Sequence, residues 1–378
     1  MLPTSLYIHV PWCIRKCPYC DFNSHKSPTT LPEDEYVSAL IADLKADIAR
    51  HQRTQIHSIF IGGGTPSLLS GKAYDRLLTN VQNLLDFSPG IEITLEANPG
   101  TVEQQRFKDY RQAGINRLSL GIQSFNPHHL KRLGRIHDDA QAHRAIDSAR
   151  AAGFDNINLD IMHSLPEQTL NEGLDDLRTA LSHQPQHLSW YQLTLEPNTV
   201  FYKQQPPLPH EEITADLEEQ GFELLAQHWF QRYEISAFSQ PGKTSHHNLN
   251  YWLFGDYFGI GAGAHGKLTS PDYKVVRTRK YRQPKDYLNP DNAFLAAAET
   301  TDAASLLFEF MLNTTRLEQT IPRTLFKERT GLPDDGLTAK LLQAEAKGLI
   351  CLQSEHWQVT ERGRRYTDNL QALFLPED

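Results

Sequence analysis

The chain has 378 residues, enough for one large domain and a smaller one. Its composition is that of an ordinary globular protein, and the formal charge of −9 argues against nucleic acid or an anionic membrane as a general partner. No run approaches the ~20 uninterrupted apolar residues of a spanning helix. The first strand pattern follows Met1-Leu2-Pro3-Thr4 at once, so no targeting peptide is expected and the expected location is cytoplasmic.

The first predicted strand is Ser5–Val10. Directly after it stand Cys13, Cys17 and Cys20 in Cys-x3-Cys-x2-Cys spacing, and only Cys351 lies elsewhere. Three soft thiolates on one short loop can hold three irons of a 4Fe–4S cluster and leave the fourth iron open for a ligand. Zinc competes for the same residues, because His9 or His25 could complete a closed four-ligand site. Disulfides are not expected with so few cysteines and no secretory signal. Cys351, in Leu349-Ile350-Cys351-Leu352, reads as a small buried hydrophobe.

Further strands are predicted at His57–Gly62, Ile91–Ala97, Arg117–Ile122, Asn156–Ile161 and His187–Leu193. Helical patterns lie between them: Tyr36, Leu40, Leu44 and Ile48 share one face, as do Leu170, Leu174, Leu177 and Leu181. Six such units imply parallel strands with right-handed crossovers, either as a barrel or as a doubly wound sheet. In both, functional groups gather on loops at the carboxyl ends of the strands. The cysteine loop, the turn Gly62-Gly63-Gly64-Thr65-Pro66, Glu96, Gln123 and Asp160 all fall at such ends. The turn lacks the lysine of a phosphate-binding loop.

The segment Gln205-Pro206-Pro207-Leu208-Pro209 breaks the alternation, and a helix over His210–Gln231 and a strand over Tyr233–Phe238 are predicted next. Residues 246–267 are rich in aromatics and glycine. The run from Gly259 to Gly266 lacks the strand–helix context of a nucleotide loop. Helices are predicted over Ala303–Leu317, Pro322–Thr330 and Leu337–Gly348, then a hairpin of Leu349–Leu352 and Trp357–Thr360. That order resembles a winged helix, but no basic stripe marks a DNA-reading face. The expected division is 1–240 for the barrel, 241–290 for an extension and linker, and 291–378 for a C-terminal α+β unit.

Tyr7-Ile8-His9-Val10-Pro11-Trp12-Cys13 and Cys17-Pro18-Tyr19-Cys20-Asp21-Phe22 resemble the radical S-adenosylmethionine (SAM) superfamily, in the branch around oxygen-independent coproporphyrinogen III oxidase. The resemblance covers nearly the whole chain and implies an incomplete (β/α)6 barrel with a 4Fe–4S cluster on Cys13, Cys17 and Cys20. In that superfamily SAM chelates the open iron and is cleaved to a 5′-deoxyadenosyl radical. The resemblance places Gly63, Gly64 and Thr65 at the methionine amino group, and Glu96, Gln123 and Asp160 toward the ribose and sulfonium. It places Arg135 at the carboxylate, for which a guanidinium fork is suited. Tyr7 and Tyr19 would pack around the cluster or SAM. The alternative for these residues is a buried salt bridge such as Glu96–Arg135, or simple core burial for the tyrosines.

Within that branch the chain departs from the oxidases. They carry a further cysteine where Phe22 stands, and an amino-terminal extension that is missing here. His247-Asn248-Leu249-Asn250-Tyr251-Trp252 instead resembles the His-Asn-x-x-Tyr-Trp motif of the HemW-type haem chaperones. That resemblance implies haem at His247, Asn248, Tyr251 and Trp252, with His246 able to substitute and His265 a second candidate contact. An imidazole ligand beside flat aromatic surface suits a porphyrin. The alternative is a packed aromatic segment around an interior histidine. The implied function is to bind haem and deliver it to acceptor haemoproteins, membrane-bound respiratory cytochromes among them, as a monomer or weak dimer. Coproporphyrinogen oxidation is the runner-up.

Overall fold

A computed structural model describes residues 2–51 and 54–376, apart from the side chains of residues 101–105. Six strands lie side by side in chain order: β1 (Thr4–Val10), β2 (Gln55–Gly63), β3 (Asp86–Ala97), β4 (Arg117–Gln123), β5 (Ile157–His163) and β6 (His187–Gln192). Each pairs in parallel with the next. The helices that return the chain are α1 (Glu33–His51), α2 (Gly71–Leu84), α3 (Thr101–Gln112), α4 (Asp139–Ala151) and α5 (Leu170–Ser182). This is the expected incomplete barrel; the sheet does not close on itself among the described residues.

Local chemistry accounts for the elements. Both faces of β1, β2 and β4 are buried, so Leu6, Ile8, Val10, Ile59, Ile61, Leu118 and Leu120 form near-continuous apolar runs. The first turn of α1 is acidic (Glu33, Asp34, Glu35), which complements the helix dipole. Capping boxes start α4 (Asp138 with Gln141) and α5 (Thr169 with Glu172). Strand β3 begins earlier than predicted. Its pairing with β2 shifts register between Ile56 and Ser58, next to Pro89 and Gly90, and the bulge carries the strand back to Asp86.

The predicted helix over His210–Gln231 is α6 (Glu211–Gln227). The single strand predicted over Tyr233–Phe238 is instead a tight hairpin of β7 (Gln231–Glu234) and β8 (Ala237–Ser239). The Glu234 carboxylate accepts from the Ser236 N–H and hydroxyl and fixes that turn. A short helix, α7 (His246–Trp252), then leads to β9 (Asp256–Ile260), β10 (His265–Thr269), β11 (Val275–Lys280) and β12 (Leu295–Thr300). Strand β9 pairs in parallel with β1, and β10, β11 and β12 continue antiparallel. The sheet order is β12-β11-β10-β9-β1-β2-β3-β4-β5-β6-β8-β7.

The boundary expected at 290/291 therefore falls ahead of a sheet strand, because Leu295–Thr300 pairs with β11. A second apolar core begins after it, built on Leu306, Phe310, Leu325, Leu341 and Trp357, and joined by Phe254 and Val275. Its three helices (Ala303–Thr314, Thr324–Thr330, Asp335–Ala346) and its strand order Ile321–Pro322, His356–Val359, Ile350–Leu352 follow the expected winged-helix order. The reading of Cys351 as buried is corrected: it is exposed, while Ile350 beside it is buried. Strand alternation on an edge strand turns alternate side chains to solvent. No helix of the described residues is long and apolar enough to cross a membrane.

Candidate cofactor site at the barrel mouth

The cysteine loop leaves the end of β1. Cys13 is buried, Cys17 and Cys20 are half-buried, and the Cys20 N–H closes a turn onto the Cys17 carbonyl at 3.2 Å. Burial, opposed by the Phe22 backbone and reinforced by the two neighbouring thiols, pushes Cys20 up to about 11. Such a loop favours neutral thiols until a metal replaces the protons. His9 is not available to complete a zinc site. Its Nδ1 lies 2.9 Å from the Tyr7 hydroxyl, and its Nε2 lies 2.8 Å from the Asn23 carbonyl. Among the described residues no three His, Cys, Asp or Glu side chains converge where a single ion would sit. A cluster spreads its thiolates over several irons and needs no such convergence.

The other residues gather beside this loop. Arg135 reaches Cys17 Sγ at 3.6 Å, and its Nη2 donates to Asn98 Oδ1 at 2.6 Å and to the Gly121 carbonyl at 2.7 Å. Its buried Nε has no hydrogen-bond partner among the described residues, so one guanidinium donor remains for a ligand carboxylate. Glu96 and Arg135 do not pair; Glu96 instead accepts from the Gly63 N–H at 3.2 Å. Gln123 sits at φ +71, strained for a non-glycine residue, after a register shift at the end of β4. Its Oε1 accepts from Tyr191 at 2.9 Å. Asp160 accepts from Ser119 Oγ at 3.0 Å and Asn158 Nδ2 at 2.8 Å.

The glycine turn serves the protein's own packing. A Cβ on Gly64 would meet the Trp12 carbonyl oxygen at 2.6 Å, and one on Gly63, at φ +114, would meet the His9 ring at 2.6 Å. The N–H groups of Gly64 and Thr65 already bond Val10 and Trp12. What the turn can offer a cationic amino group is its carbonyls. Tyr19 packs against Phe201, 6.4 Å between ring centres, beside Cys17. Two residues that sequence reasoning passed over complete the site. Asn98 links Arg135 to Thr65 Oγ1, and Tyr191 holds Gln123. Asn98 lies two residues after Glu96, but an amide there has many roles and no spacing marks it.

The comparisons with known proteins agree with this geometry. Residues 7–180 match the Radical SAM superfamily, and residues 302–366 match the HemN C-terminal domain. Heme chaperone HemW of Escherichia coli is 49% identical over 375 residues, covering 99% of both chains. Its counterpart in Bacillus subtilis is 35% identical over 383 residues, again covering 99% of both. The chain belongs to the HemW family. Membership in this radical SAM family implies a 4Fe–4S cluster and SAM as cofactors. The solved structure of coproporphyrinogen III oxidase HemN from Escherichia coli shares the fold, with a TM-score of 0.81 over 99% of this chain and 90% of that one, at 22% identity.

The HemW-type motif is divided by the fold. His247 is only 1% exposed, with Nδ1 at 3.1 Å from Ser58 Oγ and Nε2 at 2.9 Å from the Tyr251 hydroxyl. Its N–H and that of His246 donate to Glu92, which pins the start of α7. Haem iron at His247 would have to displace the partner of one ring nitrogen, either Ser58 or Tyr251. Ser245 caps α7, its hydroxyl accepting from the Asn248 backbone N–H. Trp252 turns toward the C-terminal core, under the Arg316 guanidinium 4.3 Å from its ring centre. Only Tyr251 reaches the cavity at the barrel mouth. That cavity, about 610 Å³, is also lined by Tyr7, His9, Phe22, Glu96, Tyr257 and His265.

Glu96 gives the site a pH signature. Burial, with the Asp160 charge behind it and the Gly63 N–H opposing, raises its carboxyl from 4.5 to about 8. The folded chain thus holds a proton that the unfolded chain releases. The resulting stability is complete below pH 4.5 and is lost as pH climbs through about 8. Glu96→Gln is expected to flatten this slope and to stabilise the protein above that range by a few kcal/mol, on the order of 1.4 kcal/mol per pH unit removed. Urea midpoints taken at both ends of the range check it; an unchanged slope places the titration elsewhere.

Proposed function

We propose that this chain is a haem carrier that binds haem and passes it to acceptor haemoproteins, on a barrel that holds a cluster and SAM. The observation that carries this reading is full-length identity of 49% to a protein named as a heme chaperone. The roomy aromatic cavity beside the cluster loop supports it. Acceptors in this reading include membrane-bound respiratory cytochromes. The likeness to the oxidase, at 22% identity, is one of fold.

In this reading Cys13, Cys17 and Cys20 hold the cluster. Glu96, Gln123, Arg135 and Asp160 surround SAM, with the carbonyls of the Gly63–Thr65 turn at its amino group. A cluster held there supplies one-electron chemistry to the bound SAM. Arg135 orients the SAM carboxylate while shielding Cys17, and the Tyr191–Gln123 hydrogen bond keeps the amide turned into the barrel. The barrel of residues 1–240 then carries the cofactors, the sheet extension walls the haem cavity, and the C-terminal unit packs on that extension.

The test is one anaerobic reaction of reconstituted protein with reductant, SAM and coproporphyrinogen III, analysed by liquid chromatography and mass spectrometry. No protoporphyrinogen is expected. A parallel mixture of the haem-loaded protein with an apo-haemoprotein is expected to develop the acceptor's Soret band. Decarboxylated product without haem transfer would establish an oxidase instead.

A further inference from the structure

We propose that the haem is seated against the β10–β11 wall of the barrel-mouth cavity, with His265 facing its iron and Arg279 and Arg282 taking its propionates. This rests on the haem-carrier reading and differs from a seat with iron at His247.

Two histidines line the cavity. Both ring nitrogens of His9 are held, by Tyr7 and by the Asn23 carbonyl. His265 is exposed and makes no hydrogen bond through its ring to a described residue. Partial burial and the charges of Arg279, Arg282 and Arg277 keep its imidazole in the neutral form that metals need.

The register places the cations. His265 stands directly opposite Arg279 in the antiparallel β10–β11 pair, so both side chains leave the same face. Among the described residues Arg279 pairs only with Glu299, 3.2 Å away and 72% exposed, a surface contact that a better anion replaces at little cost. Arg282 lies just beyond the strand. Its carbonyl accepts from Asn23 Nδ2 and lies 3.0 Å from His25 Nε2, which fixes its backbone beside the cysteine loop. Guanidinium groups grip carboxylates in two-point contacts. Of the two acidic side chains lining the cavity, Glu96 of β3 holds its proton, and the carboxylate is Asp21 on the cysteine loop. Charge therefore turns a dianionic edge toward the arginines and away from the cluster side. Phe22, Tyr251 and Tyr257 supply ring surface, and Ala296 and Ala297 keep the opposite strand low enough for a flat macrocycle.

The experiment titrates full-length protein with ferric protoporphyrin IX and, separately, with its dimethyl ester, which lacks the propionate charges. The unmodified protein is expected to give a histidine-type Soret band and to prefer the free acid. His265→Ala is expected to weaken binding roughly tenfold or more and to shift the band. Arg279→Ala/Arg282→Ala is expected to weaken the free acid to the level of the ester and leave the ester unchanged. All three residues are exposed, so circular dichroism should match the unmodified chain. Binding that survives His265→Ala with an unshifted band but is lost in a folded His247→Ala protein overturns this seat and leaves the carrier reading intact. No Soret band from the unmodified protein overturns both.

Discussion

Alanine at any one of Cys13, Cys17 or Cys20 is expected to bring reconstituted iron and sulfide close to background and to remove the brown visible absorption. The three thiols are the whole local supply, since Cys351 is exposed on the far C-terminal hairpin. No histidine stands ready to replace one. His9 is locked between Tyr7 and Asn23, and His25 Nε2 lies 3.0 Å from the Arg282 carbonyl. Two remaining thiolates cannot hold a cubane against exchange with solvent. The fold should survive, because Cys17 and Cys20 are half-buried and the loop is also tied by the Asn23 amide to Ala262 and Arg282. Iron analysis with far-ultraviolet circular dichroism separates the two effects, and Cys351→Ala serves as the silent control. Full iron content in any of the three variants would remove the cluster assignment.

The second large effect is expected at Lys280. Its ammonium is wholly buried between Asp43 and Asp47 of α1. Asp43 also accepts from the Tyr287 hydroxyl, and Gly261 donates its N–H toward both. One cation therefore fastens β11 and the glycine-rich turn onto the first helix. Lys280→Met leaves two carboxylates facing each other in an apolar interior. The expected loss is about 3–5 kcal/mol, the cost of an uncompensated buried charge. Burial already holds Asp43 at about 6, with Lys280 opposing the rise. Without the lysine its folded-state value rises further, so the penalty should shrink in acid and grow as pH rises. Urea midpoints across pH measure this. Arg50→Ala, at the exposed rim of the same cluster, should cost under about 1 kcal/mol. Equal losses for the two variants would mean that the buried network is not what holds these elements together.

Much of this was readable in the chain. The six βα units follow from alternating apolar runs, and polar residues closing those runs had to meet at one mouth. The cysteine loop, Glu96, Gln123 and Asp160 were legible for that reason, and Arg135 only through the family resemblance. What escaped is what periodicity does not encode. The burial of His247 depends on Ser58 and Glu92, far away in sequence and adjacent only because β2 and β3 stand beneath α7. The exposure of Cys351 depends on its strand being an edge, which an apolar run does not reveal. The bulge before Ile91 and the hairpin within Tyr233–Phe238 each hinge on local turn geometry that short apolar stretches conceal.

The parallel pairing of β1 with β9 also has a meaning in time. Thr4 lies opposite Asp256, and Ile8 opposite Ile260. On the ribosome the first strand is made at once, but the neighbour on its outer side is among the last pieces of the sheet to emerge. At roughly 5–20 residues per second, that edge waits on the order of 10–50 s with its backbone groups unpaired. A nascent chain in this condition offers a ready template for strand addition by another molecule. Any fragment that ends before residue 260 keeps that open edge permanently, so aggregation rather than partial function is the expected fate of an isolated six-unit barrel cut from this chain.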